Sequence, residues 1–209
     1  MRVFILCTGR SGSMTFVKAC KHITNYTSGH ETLSRETGEK RFSYPENHIE
    51  SDNRLSWFLG QLDAKFGDSA YYVHLIRDKT KTVESHNRRW NDRNSIIKTF
   101  AEGILKTPVE KLNNEKKLQI SNDYYDCVNA NISMFLKDKS LKQVVHIETM
   151  KEDFKIFWER IGATGNVEKA MKEFDMHYNQ SNSNIKYTLR YRLKLFMLQT
   201  YRKLSRLKR

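Results

Sequence analysis

The sequence predicts an α/β fold, a parallel sheet flanked by helices, and three features carry that expectation. An apolar run at residues 3–7 passes into the Gly/Ser-rich segment Thr8-Gly9-Arg10-Ser11-Gly12-Ser13. A second apolar run at residues 70–76 delivers Arg77-Asp78 ahead of a helical spacing, and a third at residues 143–147 ends at Glu148. Nearly continuous hydrophobic runs are what strands covered on both faces of a parallel sheet require.

The elements follow in order. Residues 13–22 read as the crossover helix behind the first strand, with Phe16, Val17 and Cys20 on an inward stripe. Residues 23–27 are expected to form a second short strand ending at Ser28-Gly29-His30-Glu31, which lies beside the first loop if the two strands are neighbours. Residues 32–54 are polar and broken by Gly38 and Pro45, and are expected to be an excursion on the substrate side, either a lid or a plain surface loop. Helical spacing resumes at 55–66 through Trp57, Phe58, Leu62 and Phe66, and Gly67-Asp68 stops it. After the strand at 70–76, helices are expected at 80–88, at 96–105 before the break at Pro108, and at 122–136. In the last of these Tyr125, Val128, Ile132 and Phe135 share a face. A helix lined by Phe154, Phe157, Trp158 and Ile161 follows the strand at 143–147 and closes at Gly162.

The 209 residues suffice for one domain with a helical appendage, read as a body over 1–178 and a segment over 179–209. That segment opens with a polar hinge at 179–184 and continues as a helix at 187–207 expected to pack on the body. The formal charge of +13 is concentrated there: residues 186–209 hold nine Lys/Arg and no acid. Peripheral contact with an anionic membrane or a partner through this helix is left open. Nucleic acid is disfavoured, because no paired aromatic platform or reading motif accompanies the charge. Three scattered cysteines and seven histidines without ligand spacing predict a reducing compartment and no metal site. With no signal peptide and no apolar run long enough to span a bilayer, a cytoplasmic protein is expected.

The chemistry is concentrated at the first strand-to-helix junction. Backbone N–H groups and the positive end of a helix converge there, a site suited to phosphate. Gly9 and Gly12 let the backbone turn, Arg10 can fork onto anionic oxygens, and Ser11, Ser13 and Thr15 can donate to them. The loop lacks the GxxxxGK-Ser/Thr pattern of nucleotide triphosphatases, which counts against ATP or GTP hydrolysis. An ordinary capped turn is the plain alternative.

Together the loop at residues 8–13, the segment Val73-His74-Leu75-Ile76-Arg77-Asp78 followed by Ser85, and His146-Ile147-Glu148 followed by Met150-Lys151-Glu152-Asp153 resemble the sulfotransferase superfamily over about residues 1 to 165. The resemblance implies a P-loop-like nucleotide-binding fold and a 3′-phosphoadenosine 5′-phosphosulfate co-substrate. The loop residues Gly9, Arg10, Ser11, Gly12, Ser13 and Thr15 would take its 5′-phosphosulfate, and Arg77 and Ser85 its 3′-phosphate. Arg10 would stabilise the charge that develops on the leaving phosphate, and no metal is implied. Glu31 is the first candidate for the general base and His30 the second, while Glu148 would anchor a loop. Met14 stands where many family loops carry a hydroxyl, which Thr15 is expected to supply, and the tail lacks the family's Arg-Lys-Gly closing segment. The acceptor would be a hydroxyl, or less readily an amine, of a carbohydrate, lipid headgroup or small metabolite. A nucleotide-dependent kinase and a non-catalytic anion- or membrane-binding module are the alternatives.

Overall fold

The computed structural model describes residues 1–176 except Arg93 and Lys111; the hinge at 179–184 and the basic helix at 187–207 lie outside the described residues. Five strands, β1 (Arg2–Leu6), β2 (Thr27–His30), β3 (His48–Ser51), β4 (Ala70–Ile76) and β5 (Lys142–His146), form one sheet in the order β2-β3-β1-β4-β5. Every pairing is parallel. The helices that connect and cover them are α1 (Ser13–Cys20), α2 (Leu59–Phe66), α3 (Lys79–Arg88), α4 (Ile96–Thr99), α5 (Asn114–Leu136), α6 (Met150–Arg160) and α7 (Val167–Lys172).

β1 is central and divides its side chains between two cores. Phe4 and Leu6 face a cluster containing Leu55, Leu62, Tyr72, Tyr124, Val128 and Ile132, drawn largely from α2, β4 and α5. Val3, Ile5 and Cys7 face the opposite cluster, where Phe16 of α1 meets Phe154 and Phe157 of α6 at ring separations of 5.1 Å. All five of these side chains, four on β1 and Cys7 just past its end, are fully buried, and each large one contributes roughly 1.5–3 kcal/mol on leaving water. The uninterrupted apolar run at 3–7 is therefore what a strand between two helical layers needs.

Three elements depart from the sequence reading. The second strand is Thr27–His30 rather than residues 23–27; Ile23 instead enters the core and bridges to Gly165. Within the expected excursion at 32–54, residues 48–51 form β3, which pairs directly with β1. Two of its polar residues are satisfied by one another and by the chain packed on them: Glu50 accepts from the Thr32 amide at 2.9 Å and from the Thr32 hydroxyl, and shares a 3.0 Å bond with His48. The helix expected at 122–136 begins earlier, because Asn113 caps it by accepting from the Lys116 amide at 2.8 Å.

Candidate functional site

The carboxyl ends of the parallel strands gather the polar residues at one edge, where an open α/β sheet receives its ligands. Behind β1 the chain turns through Gly9 (φ 76°), Arg10 (φ 59°) and Gly12 (φ 84°), three left-handed residues in four. The left-handed conformation favours glycine at Gly12, and an added side chain would also have to displace the Ile147 Cδ1 methyl, 2.8 Å away. Arg10 has no such excuse, and a left-handed arginine marks backbone strain of the sort that collects at functional sites. Behind Gly12, α1 opens without a side-chain cap, leaving the amides of Ser13, Met14 and Thr15 in its first turn directed at the loop. Ser11 Oγ is buried and has no hydrogen-bond partner.

The loop is braced from beneath. Tyr124 Oη donates to the Thr8 carbonyl at 2.9 Å, and Cys7 Sγ accepts from the Gly9 amide at 3.4 Å. Burial pushes the Cys7 thiol upward, so this sulfur stays protonated and acts as a packing and accepting group. The His86 ring lies edge-on to Tyr124 and against the Thr8 and Gly9 carbonyls. Burial, reinforced by the charge of Arg10, lowers its pKa to about 4.

Two distant motifs meet above the loop. Arg10 Nε donates to Ser85 Oγ at 3.1 Å, and Arg77 Nη1 donates to the Arg10 carbonyl at 3.0 Å. Arg77 is itself held, its carbonyl accepting from Tyr125 Oη at 2.8 Å. Asp78 caps α3 by accepting from the Lys81 amide, and Glu148 accepts from the Asp78 amide at 3.0 Å. Glu148 thus anchors the loop that carries Arg77. Burial, followed by the charges of Arg89 and Arg77, lowers the pKa of Arg10 to about 10, with Asp92 opposing. This flank is a concentration of guanidinium groups with few carboxylates.

The other flank carries the two base candidates. His30 Nε2 shares a 3.3 Å hydrogen bond with Ser13 Oγ, which joins the end of β2 to the first turn of α1. Glu31 is also left-handed (φ 55°); its amide donates to the Ser51 carbonyl and its carboxylate lies 2.8 Å from Arg54 Nη1. The end of β3 contributes residues that the sequence reading passed over. Asn53 packs against Gly9, where an added side chain would meet its Nδ2 at 3.2 Å. Asp52 is fully buried, accepts from the Arg54 amide at 2.8 Å and pairs with Arg41 at 2.6 Å. Burial nonetheless raises the Asp52 pKa, against the pull of the Arg54 amide and Arg41. The alternation of Ile49 and Ser51 with His48 and Glu50 was too short and too polar to announce a strand, and Asp52, Asn53 and Arg54 were missed with it.

With this geometry in view, the chain can be set beside known proteins. No protein-family model matches it, and no curated protein does. Among solved structures, a mouse sulfotransferase, SULT7A1, complexed with PAP matches over 88% of this chain and 68% of its own, with a TM-score of 0.58 and 13% identity. The fold is sulfotransferase-like. At that identity the likeness is one of architecture: the parallel sheet and its flanking helices are shared, whereas side-chain roles have to be argued from the site itself. Among the described residues of this sulfotransferase-like chain, no helix is long and apolar enough to cross a membrane.

Proposed function

We propose that the protein is a sulfotransferase that moves a sulfuryl group from 3′-phosphoadenosine 5′-phosphosulfate to a hydroxyl, or less readily an amine, of a carbohydrate, lipid headgroup or small metabolite. The observation that carries this reading is the joining of Arg10, Ser85 and Arg77 by two hydrogen bonds across sequence separations of 75 and 67 residues. A phosphate loop alone suits many nucleotides; a loop linked to an Arg and a Ser eight residues apart at the neighbouring strand end suits one with a second phosphate. The residues present fit such a ligand, since the flank is cationic and Ser11 Oγ is buried without a partner.

In this reading Ser11, Ser13, Thr15 and the first amides of α1 hold the 5′ end of the co-substrate, with Gly9 and Gly12 keeping the backbone close. Arg77 and Ser85 hold the 3′-phosphate through charge-assisted bonds. The co-substrate supplies the activated sulfuryl group. Arg10 is a preorganised cation for the charge that develops on the leaving side, and its partial burial removes it from bulk water, which strengthens its field. The contact of His30 with Ser13 puts an imidazole one hydrogen bond from the loop, which favours His30 for removing the acceptor's proton. Glu31, held by Arg54, is the second candidate.

Calorimetric titration of the full chain with adenosine 3′,5′-bisphosphate, AMP and ATP tests the reading. The bisphosphate is expected to bind tightest, and Arg77→Ala to weaken it by roughly 10- to 100-fold, the equivalent of one charged hydrogen bond. No binding, or an ATP preference indifferent to Arg77→Ala, would return the loop to the kinase or the non-catalytic alternative. A preference for the bisphosphate licenses an acceptor screen with labelled co-substrate.

A further inference from the structure

Resting on that reading, we infer that Arg89 is a second arginine for the 3′-phosphate, held in reserve by Asp92 until the anion arrives. Arg89 ends α3, its amide donating to the His86 carbonyl at 2.9 Å, four residues beyond Ser85. Its backbone follows Ser85 by about one turn of chain. Arg89 is also the charge felt most strongly by Arg10.

Its partners leave it incomplete. Arg89 Nε is buried without a hydrogen-bond partner. The Arg89 Nη1 to Asp92 Oδ2 separation is 3.7 Å, an ion pair too long for a hydrogen bond, and the Asp92 side chain is more than half exposed. Its neighbour Arg88 differs: it is more than half exposed and lies 3.7 Å from Glu84 one turn back, as a solvated surface pair does. Of the residues whose charges bear most on Arg10, three are arginines and only Asp92 is a carboxylate.

Repulsion among fixed guanidinium groups costs stability unless an anion relieves it. A phosphate monoester is the fitting anion, since its two negative charges and three oxygens can accept from Arg77, Ser85 and Arg89 together, with a planar fork at each arginine. An exposed carboxylate at long range is a weak competitor that yields to such a ligand. Arg89 would thereby add discrimination for the 3′ position, separately from the contacts made at the 5′ end.

The test is titration of wild type, Arg89→Gln, Arg89→Lys and Asp92→Asn with adenosine 3′,5′-bisphosphate, 3′-AMP and 5′-AMP. Arg89→Gln is expected to weaken the bisphosphate and 3′-AMP by roughly 10- to 100-fold while 5′-AMP changes less than about twofold. Arg89→Lys should recover part of the loss, and Asp92→Asn should tighten the two 3′-phosphorylated ligands. Equal weakening of all three nucleotides, or unchanged affinity for the 3′-phosphorylated pair, overturns the role of Arg89. If wild type already fails to prefer the bisphosphate over 5′-AMP, the sulfotransferase reading falls instead; if it prefers it and Arg89→Gln leaves that preference undiminished, only the present inference falls.

Discussion

The two flanks of the phosphate loop are built on opposite electrostatic plans. On the β2–β3 flank the charged side chains find partners within the fold: Asp52 with Arg41, Glu50 with His48 and Thr32, Glu31 with Arg54. On the β4–α3 flank Arg10, Arg77 and Arg89 crowd together; buried polar atoms without a hydrogen-bond partner occur on both flanks, at His86, Asn87 and Arg89 here and at Ser51 there. A charge satisfied inside the fold serves the fold, whereas a cluster of like charge is relieved by an anion from outside. It is the crowding of arginines, not the unpaired atoms, that distinguishes the two flanks.

The most damaging change should therefore lie on the satisfied flank. Arg41→Ala leaves fully buried Asp52 unpaired, and also removes the 2.8 Å bond from Arg41 to Tyr44 Oη. Breaking a buried ion pair in this way costs about 3–5 kcal/mol, which urea unfolding would read directly. A loss below about 1 kcal/mol would mean that the two flanks are not built differently.

A smaller effect comes from acid. His86 takes up its proton near pH 4 in the folded protein but near 6.5 once unfolded. Between those values the unfolded chain holds more protons, so stability is complete above about pH 6.5 and falls as the pH drops toward 4, by up to about 3 kcal/mol. His74, lowered by burial, adds a slope of the same sign. His86→Asn should accordingly flatten part of the dependence measured by unfolding between pH 4 and 7, and an unchanged slope would show that the ring does not sit neutral under the loop.

The smallest effect on stability should come from the flank that awaits a ligand. Arg10→Gln gives up a charged hydrogen bond to Ser85 worth about 1.5–3 kcal/mol but also relieves repulsion from Arg77 and Arg89. Its unfolding free energy should stay within about 1 kcal/mol of wild type while bisphosphate affinity drops at least tenfold. Parallel loss of stability and binding would make Arg10 a structural residue.

The fold was readable wherever the chain buried apolar residues on both sides. β1, β4 and β5, with α1, α3 and α6 behind them, emerged close to their expected places because Val3–Phe4–Ile5, Tyr71–Tyr72–Val73 and Phe154–Phe157 leave no other economical burial. β2 and β3 did not, since Thr27-Ser28-Gly29-His30 and His48-Ile49-Glu50-Ser51 are held by backbone pairing and mutual side-chain bonds that leave no hydrophobic rhythm. The site divided along the same line. Arg10, Arg77 and Ser85 lie on elements that hydrophobicity announced, and the structure brings them together. Asp52, Asn53 and Arg54 follow a strand that only tertiary pairing reveals. Glu31 and His30 stand at the end of β2, but β3 separates that strand from β1, so the expected neighbouring of the two strands does not hold and His30 reaches the loop through Ser13.

One bond beneath the site also sets a clock. Tyr124 Oη and the Thr8 carbonyl it holds are separated by 116 residues. At ribosomal speeds of about 5–20 residues per second, roughly 6–23 s pass between the synthesis of these two partners. During that interval β1 can collect β3 and then β4, but the loop lacks the ring that fixes its first carbonyl. Long-range parallel pairing is slow to complete even afterwards. The finished geometry of the loop should therefore be among the last features the nascent chain acquires, well after its sheet has begun to form.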